Sequence, residues 1–457
     1  MCVGELSLAP KIPLTRDVSD SELEGKRARF AIDITPLKKY PDFRNLWASG
    51  LITYLGSMIT YVAVPFQIKE MTNSYIAVGI SGLVEIVPLI LFGLYGGVLA
   101  DYVDRKKMIW VTEFASLALV AILLVNSLSP NPNLILIYVV IGLFAAVNGL
   151  QRPSADAILP RLVGHADLPA ASALMSLRWQ LGVIIGPTIG GVLIATYSIS
   201  VGYIADIATF FISLAFLARV KSVPANPEAQ KPSLAGLIEG VRYAFSRQDL
   251  LGTYLVDLAA MFFAMPIALF PFWADQLGAP WALGLLYAAG TVGSVVVTLT
   301  SGWTRTYRFH GRAVIWAAIG WGAAIAFAGL SNSLILVLLF LAMAGAADMV
   351  SALFRGVIWN QTIPDGYRGR LAGIELLSYS VGPLAGQMRA ASMAAVTTLN
   401  FSVTFGGVLC IVSVTILALC LPKLRKYDAE TNEFAVAMRK IRAENEKSPE
   451  NGPNLQK

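Results

Sequence analysis

The chain has 457 residues, of which 56% are hydrophobic and only 14% charged, and its formal net charge is +6. Soluble domains carry about a quarter charged residues, which excludes a soluble enzyme or a nucleic-acid-binding domain. Three cysteines, two of them within an apolar run, and two histidines in polar links supply no disulfide framework and no metal or cofactor site.

Residues 1–40 are polar, mixed in charge and without the apolar core of a signal peptide, so they read as a cytoplasmic N-terminal tail. Apolar runs follow, each long enough to cross a hydrocarbon core ~30 Å thick. Spans are expected near 46–68, 75–99, 108–128, 134–151, 172–197, 199–219, 250–274, 281–302, 313–331, 334–355, 372–397 and 399–421. The predicted fold is an all-α polytopic membrane protein with twelve transmembrane helices in two pseudo-symmetric six-helix bundles. The bundles cover 41–219 and 250–421. A cytoplasmic linker, 220–249, joins them, and a cytoplasmic tail, 422–457, holds an amphipathic helix near 428–446. Twelve crossings return the chain to its starting side. Cations fix which side that is: the links on the side of the termini carry Arg105, Lys106, Lys107, Arg152, Arg161, Arg219, Lys221, Arg305, Arg308, Arg312, Arg355, Arg368 and Arg370. The opposite links carry Lys69 alone, so both termini are expected in the cytoplasm.

The link between the second and third spans, Gly97-Val-Leu-Ala-Asp-Tyr-Val-Asp-Arg-Lys-Lys107, packs glycine, acid and three cations into a hairpin too short to fold alone. A degenerate copy, Gly302-Trp-Thr-Arg-Thr-Tyr-Arg-Phe-His-Gly-Arg312, lies between spans eight and nine without the carboxylate. The fifth span holds Gly182-Val-Ile-Ile-Gly-Pro-Thr-Ile-Gly-Gly191. Glycines three or four apart make a flat face for close helix packing, and Pro187 removes a backbone bond and bends the helix.

These stretches resemble the major facilitator superfamily. The loop approaches G-x-L-A-D-x-x-G-R-K, with Asp104 where glycine is usual, and the span-five stretch fits G-x-x-x-G-P-x-x-G-G, which that family associates with export by antiport. Asp42-Phe-Arg-Asn-Leu-Trp47, Gln151-Arg-Pro-Ser-Ala-Asp-Ala-Ile-Leu-Pro-Arg161 and Arg355-Gly-Val-Ile-Trp-Asn-Gln-Thr-Ile-Pro-Asp365 are similar to the efflux branch that contains the enterobactin exporter and macrolide pumps. The resemblance implies a monomeric secondary transporter in a bacterial cytoplasmic membrane. It would export a small amphipathic molecule, of the drug or siderophore class, by alternating access with proton antiport. Gly97, Asp101 and Arg105 would form its gating motif, and Gly182, Gly186, Pro187, Gly190 and Gly191 its antiporter motif. An uptake symporter and a lipid flippase are the alternatives of the same fold. No nucleophile, base or metal cluster of a membrane enzyme occurs.

Ionisable groups at membrane depth cost at least ~2.5–3.5 kcal/mol each, which singles out Glu85, Asp206, Asp257 and Arg389 as candidates for proton or substrate coupling. For Glu85 and Asp257 the competing reading is a permanent ion pair, and Asp206 divides evenly between the two. Glu113, Asp348 and Glu375 read as satisfied ion pairs near the inner surface. In the superfamily, spans two and eleven are neighbours, so Glu85 is expected to approach Arg389 on the outer side, and Asp101 the start of span eleven near Arg370 on the inner side. Aromatic residues of spans one and seven, among them Tyr54, Tyr61, Phe262 and Phe263, are candidates to line the cavity.

Overall fold

The computed structural model describes residues 33–223 and 242–447, and every regular element among them is a helix. A short helix α1 (Thr35–Lys39) leads into α2 (Pro41–Thr72), α3 (Tyr75–Tyr102), α4 (Arg105–Leu128), α5 (Leu134–Leu162), α6 (Leu168–Thr196) and α7 (Ile199–Ala218). The second half holds α8 (Gln248–Phe263), α9 (Phe270–Gln276), α10 (Leu283–Leu299), α11 (His310–Leu330), α12 (Leu334–Thr362), α13 (Asp365–Val396) and α14 (Leu399–Cys420). Two further helices, α15 (Pro422–Arg425) and α16 (Glu433–Lys447), follow. Residues 1–32 of the predicted N-terminal tail, 448–457 of the predicted C-terminal tail and most of the predicted linker lie outside the described residues.

A helix in lipid satisfies its amides internally except at its ends, where side chains serve the first turn. Ser74, Asp104, Asn133, Ser198 and Thr398 each accept backbone N–H groups at a helix start. Asn73 takes the left-handed conformation (φ 45°) that ends α2 and lets α3 begin two residues later.

Eleven stretches among the described residues are long and apolar enough to cross a membrane, α8 and α9 counting as one. The expected eleventh span, α13, is long enough with 32 residues but less apolar, since its sequence includes Glu375, Gln387 and Arg389. It lies against α3, α8 and α14. The spans fall where expected within several residues, with two instructive differences. Helix α5 continues about three turns past its apolar run to Leu162. The seventh span breaks after Phe263 and resumes through a 3-10 turn at Ile267–Leu269, because Pro266 and Pro271 cannot donate to a preceding turn.

Packing repeats between the halves. In the first, α2 lies on α6 and α7, α3 on α5, and α4 on α7; in the second, α8 lies on α13 and α14, α10 on α12, and α11 on α14. With α8 and α9 taken as one span, α2 corresponds to α8, and each of α3 to α7 corresponds to the helix numbered seven higher. The halves meet along α3–α13 and α6–α10, contacts that the same symmetry exchanges. Both described chain ends lie on one face, here the terminal face: Lys39 pairs with Asp167 before α6, and Arg308 with Asp428 beyond α15. The amphipathic helix is α16, fixed to that face by Arg442, which donates to the Asn360 carbonyl, and by the Phe434 ring 3.6 Å from the Arg247 guanidinium. The opposite side is the far face.

Candidate functional site: the interface between the two halves

The antiporter-type motif of α6 serves two neighbours at once. On one side Gly182 faces the Tyr54 ring, Gly186 faces Met58 and the Leu55 carbonyl, and Gly190 faces Ile59, all on α2. On the other side Gly191 and Pro187 meet Gly284 of α10, where an added Cβ would lie 2.6 Å from the Pro187 carbonyl carbon and 2.7 Å from Thr188 Cα. Three glycines thus pack α6 within its own half, and the proline with the last glycine forms a backbone-to-backbone crossing into the other half. The flat face read from the sequence is present, and its far-face end belongs to the seam.

Three more contacts join the halves in the far-side parts of their helices. Lys69 at the end of α2 pairs with Asp275 of α9 and also with Glu70. The Tyr75 ring at the start of α3 lies 4.3 Å from that of Phe272. Gly79 and Gly82 of α3 press on Met388 and Ala391, and on the Leu384 carbonyl, of α13. Together these contacts close the far face. Beneath them Tyr61 of α2 meets Tyr287 of α10 edge-on at 5.6 Å, and Tyr287 meets Phe270 at 5.1 Å. The Tyr287 hydroxyl is buried with no partner among the described residues.

Glu85 of α3 is half-buried, lies within electrostatic reach of Tyr61, and has no hydrogen bond or ion pair among the described residues. The expected pair with Arg389 does not form. Register explains this: Gly79 sits opposite Met388 and Ala391, which puts Arg389 level with Gly79, six residues or roughly 9 Å from Glu85 along the axis. Arg389 instead turns to α14, donating to the Ser402 carbonyl at 3.3 Å and covering Gly406. Asp257 of α8 is bound at 2.5 Å by Arg355 of α12, whose other nitrogen stands 3.9 Å from Asp348. In this state Asp257 and Asp348 therefore share a cation inside the second half. Asp206 of α7 is fully buried inside the first half, away from the interface between the halves; it takes a hydrogen bond from Thr60 and lies 3.3 Å from the hydroxyl of Thr209, whose proton goes to the Asp206 backbone carbonyl at 2.7 Å. Glu113, expected in an ion pair, is instead hydrogen-bonded by Thr53, Gln151 and Ser213.

Gly97 lies near the end of α3; the side chains of Asp101 and Arg370 lie outside the described residues, so the expected contact between Asp101 and the start of span eleven falls there too. Arg105 is buried at the start of α4, and its amide donates to the Val223 carbonyl at 3.1 Å. Asp104 accepts from the Lys107 amide at 3.0 Å and from the Ser222 hydroxyl. Burial pushes the Asp104 carboxyl up, but the Ser222 hydroxyl and the amides of Lys107, Val223 and Lys106 together hold it below the ordinary carboxylate value.

The sequence reading missed the Lys69–Asp275 pair, although Lys69 had stood out as the lone cation of its face. It also missed the polar seam between α2 and α7. That signal was present as Ser49, Thr53, Gly56, Thr60 and Gln67, a stripe at helical spacing on an otherwise apolar span.

The comparisons with known proteins agree with this geometry. The sequence profile of the transmembrane secretion effector family matches residues 32–455. Enterobactin exporter EntS of Shigella boydii and that of Escherichia coli are each 30% identical over 403 residues, covering 87% of this chain and 95% of the relative. Among solved structures, nucleoside transporter NupG superposes with a TM-score of 0.66 at 12% identity, covering 85% of this chain and all of that one. A bacterial homologue of the iron transporter ferroportin, in an inward-facing state, gives 0.63 at 14%, covering 84% and 98%. The twelve-helix, two-half architecture and the family match over nearly the whole sequence lead to one conclusion: the chain belongs to the transmembrane secretion effector family of the major facilitator superfamily and is a multi-pass membrane transporter rather than an enzyme.

Proposed function

We propose that the protein exports a small amphipathic molecule, of the siderophore or drug class, across the bacterial cytoplasmic membrane by alternating access coupled to proton antiport. The far-face closure carries this reading. Lys69–Asp275, Tyr75–Phe272 and the Gly191–Gly284 crossing join the two halves, and a transporter that alternates must break such contacts once per cycle. The cations of the links make the terminal face cytoplasmic, so the state described is closed to the outside. Under the closure, Tyr61 and Tyr287, backed by the buried Phe270, give aromatic surface, and Glu85 gives a carboxylate with no ion pair among the described residues, a lining suited to a bulky, partly apolar cargo. The 30% identity to enterobactin exporters supports outward movement and a siderophore-like cargo.

The test is transport by purified protein in liposomes under an imposed pH gradient, with siderophores, macrolides and cationic dyes offered in turn. Export coupled to protons gives cargo accumulation that collapses when a protonophore is added. Accumulation unaffected by the gradient removes the antiport reading, and accumulation in the direction of the proton gradient makes the protein an uptake symporter.

A further inference from the structure

Two carboxylic acids are enclosed inside the first half with no cation bonded to either among the described residues. Glu113 of α4 is 4% exposed and Asp206 of α7 is wholly buried. Around Asp206, α2 presents Gly56 and Thr60, neither of them charged, while α7 itself presents Thr209 and, one turn away, Tyr203. The charged group that reaches Asp206 from another helix is Glu113 of α4, which is also an acid. Around Glu113 stand Thr53 of α2, Gln151 of α5, Ser213 of α7 and, at electrostatic range, Arg178 of α6. An isolated anion at such depth costs far more than its neutral form.

Hydrogen-bond geometry says where protons fit. Thr209 donates its hydroxyl proton to the Asp206 carbonyl at 2.7 Å, which leaves its lone pairs turned to Asp206 Oδ1 at 3.3 Å. Thr60 serves the other oxygen, Oδ2. A proton on Oδ1 therefore has an acceptor, and Oδ2 already has a donor. Around Glu113, four oxygen–oxygen contacts join Ser49 to Ser213, Thr53 to Ser213, Thr53 to Glu113 and Ser213 to Glu113. The three hydroxyl protons meet the first three contacts, at 2.6–2.7 Å, while Ser213 stands 3.5 Å from Glu113, where a proton on the acid would add a further bond. A second observation points the same way: Ser154 of α5 is wholly buried and its hydroxyl has no partner among the described residues. It lies one turn beyond Gln151, on the side of α5 shared with the inward-packed Ile158. That places an unused hydroxyl on the terminal side of Glu113.

We propose that the seam between α2, α4 and α7 is a proton site: Glu113 and Asp206 hold protons inside the first half, apart from the cavity between the halves. The seam runs from Ser154 near the terminal face through Glu113, Thr53 and Ser213 to Thr209, Asp206 and Thr60, and beyond these to Gln67, which accepts from Tyr203 at 2.6 Å. Sodium fits the site less well, because a hard cation gathers roughly six oxygens, and around Asp206 the neighbouring side chains give two hydroxyls. This proposal rests on the proton-antiport reading for its use in transport, but not for its test.

The test is infrared difference spectroscopy on the purified full chain, which detects the C=O stretch of a protonated carboxylic acid without any cargo. At neutral pH the native protein is expected to show buried-carboxyl bands. Asp206→Asn is expected to remove one and Glu113→Gln another. Thr60→Val, which deletes a hydrogen bond while keeping the acid, is expected to move the Asp206 band to higher frequency, and it guards against loss of fold in the acid variants. Spectra without a protonated carboxyl at neutral pH overturn the proposal, as do bands unmoved by all three variants. Bands that vanish on adding sodium at constant pH show a sodium site instead. The outcome stands whether or not the liposome assay finds export.

Discussion

Asp104 occupies the position where the loop motif usually has glycine, and it has a local task. It caps α4 and ties that helix to Ser222 and Val223 at the start of the segment between the halves. Replacing an N-cap carboxylate by alanine costs about 1 kcal/mol. Asp104→Ala is therefore expected to raise amide exchange at Arg105 and Lys107 roughly fivefold, measured by hydrogen–deuterium exchange and corrected for intrinsic rates. The pH dependence follows from the sign of the shift. The folded state holds this carboxyl below its ordinary value of 3.8, so its contribution is complete above that value and disappears as pH falls through the folded one. Native protein below about pH 3.8 should approach the variant's exchange; equal exchange in the two proteins at neutral pH would remove the cap from the account. Residue identity alone pointed to the buried acids, since acids in apolar runs stand out. Their partners were not legible, because Thr53, Thr60 and Ser213 reach them only once α2 and α7 are side by side.

At the scale of the helices, hydropathy located the spans because each must match the same hydrocarbon thickness. It could not give register. The pairing expected between Glu85 and Arg389 was right about which helices touch and wrong by one and a half turns, since glycines at 79 and 82 set how α3 lies on α13. The same close-approach logic makes Gly284 the most sensitive position of the α6–α10 crossing. Alanine there meets the backbone of Pro187 and Thr188, and overpacking of this kind costs about 1–3 kcal/mol. Gly284→Ala is expected to slow liposome transport at least fivefold with unchanged expression. Gly356→Ala, at a position with nothing within 4 Å among the described residues, should leave the rate unaltered. Equal rates in the two variants would mean that the crossing does not take part in the cycle.

For the whole molecule, the order of loops and cations was enough to read the two halves and the common side of the chain ends. Which face stands closed could not be read, because it depends on contacts such as Lys69–Asp275 that form between distant segments and only in one state. A partly exposed ion pair contributes at most about 1 kcal/mol, small enough to break in every cycle. The three-part closure of the far face holds shut by summing such modest contacts. The direct measurement is to join the two sides of that closure. In a Lys69→Cys, Asp275→Cys protein, a short reversible thiol cross-linker is applied after reconstitution, and pH-driven cargo flux is followed before linking, after linking and after cleavage. Alternating access predicts flux that stops on linking and returns on cleavage; cross-linked protein that transports as fast as the reduced protein would contradict it.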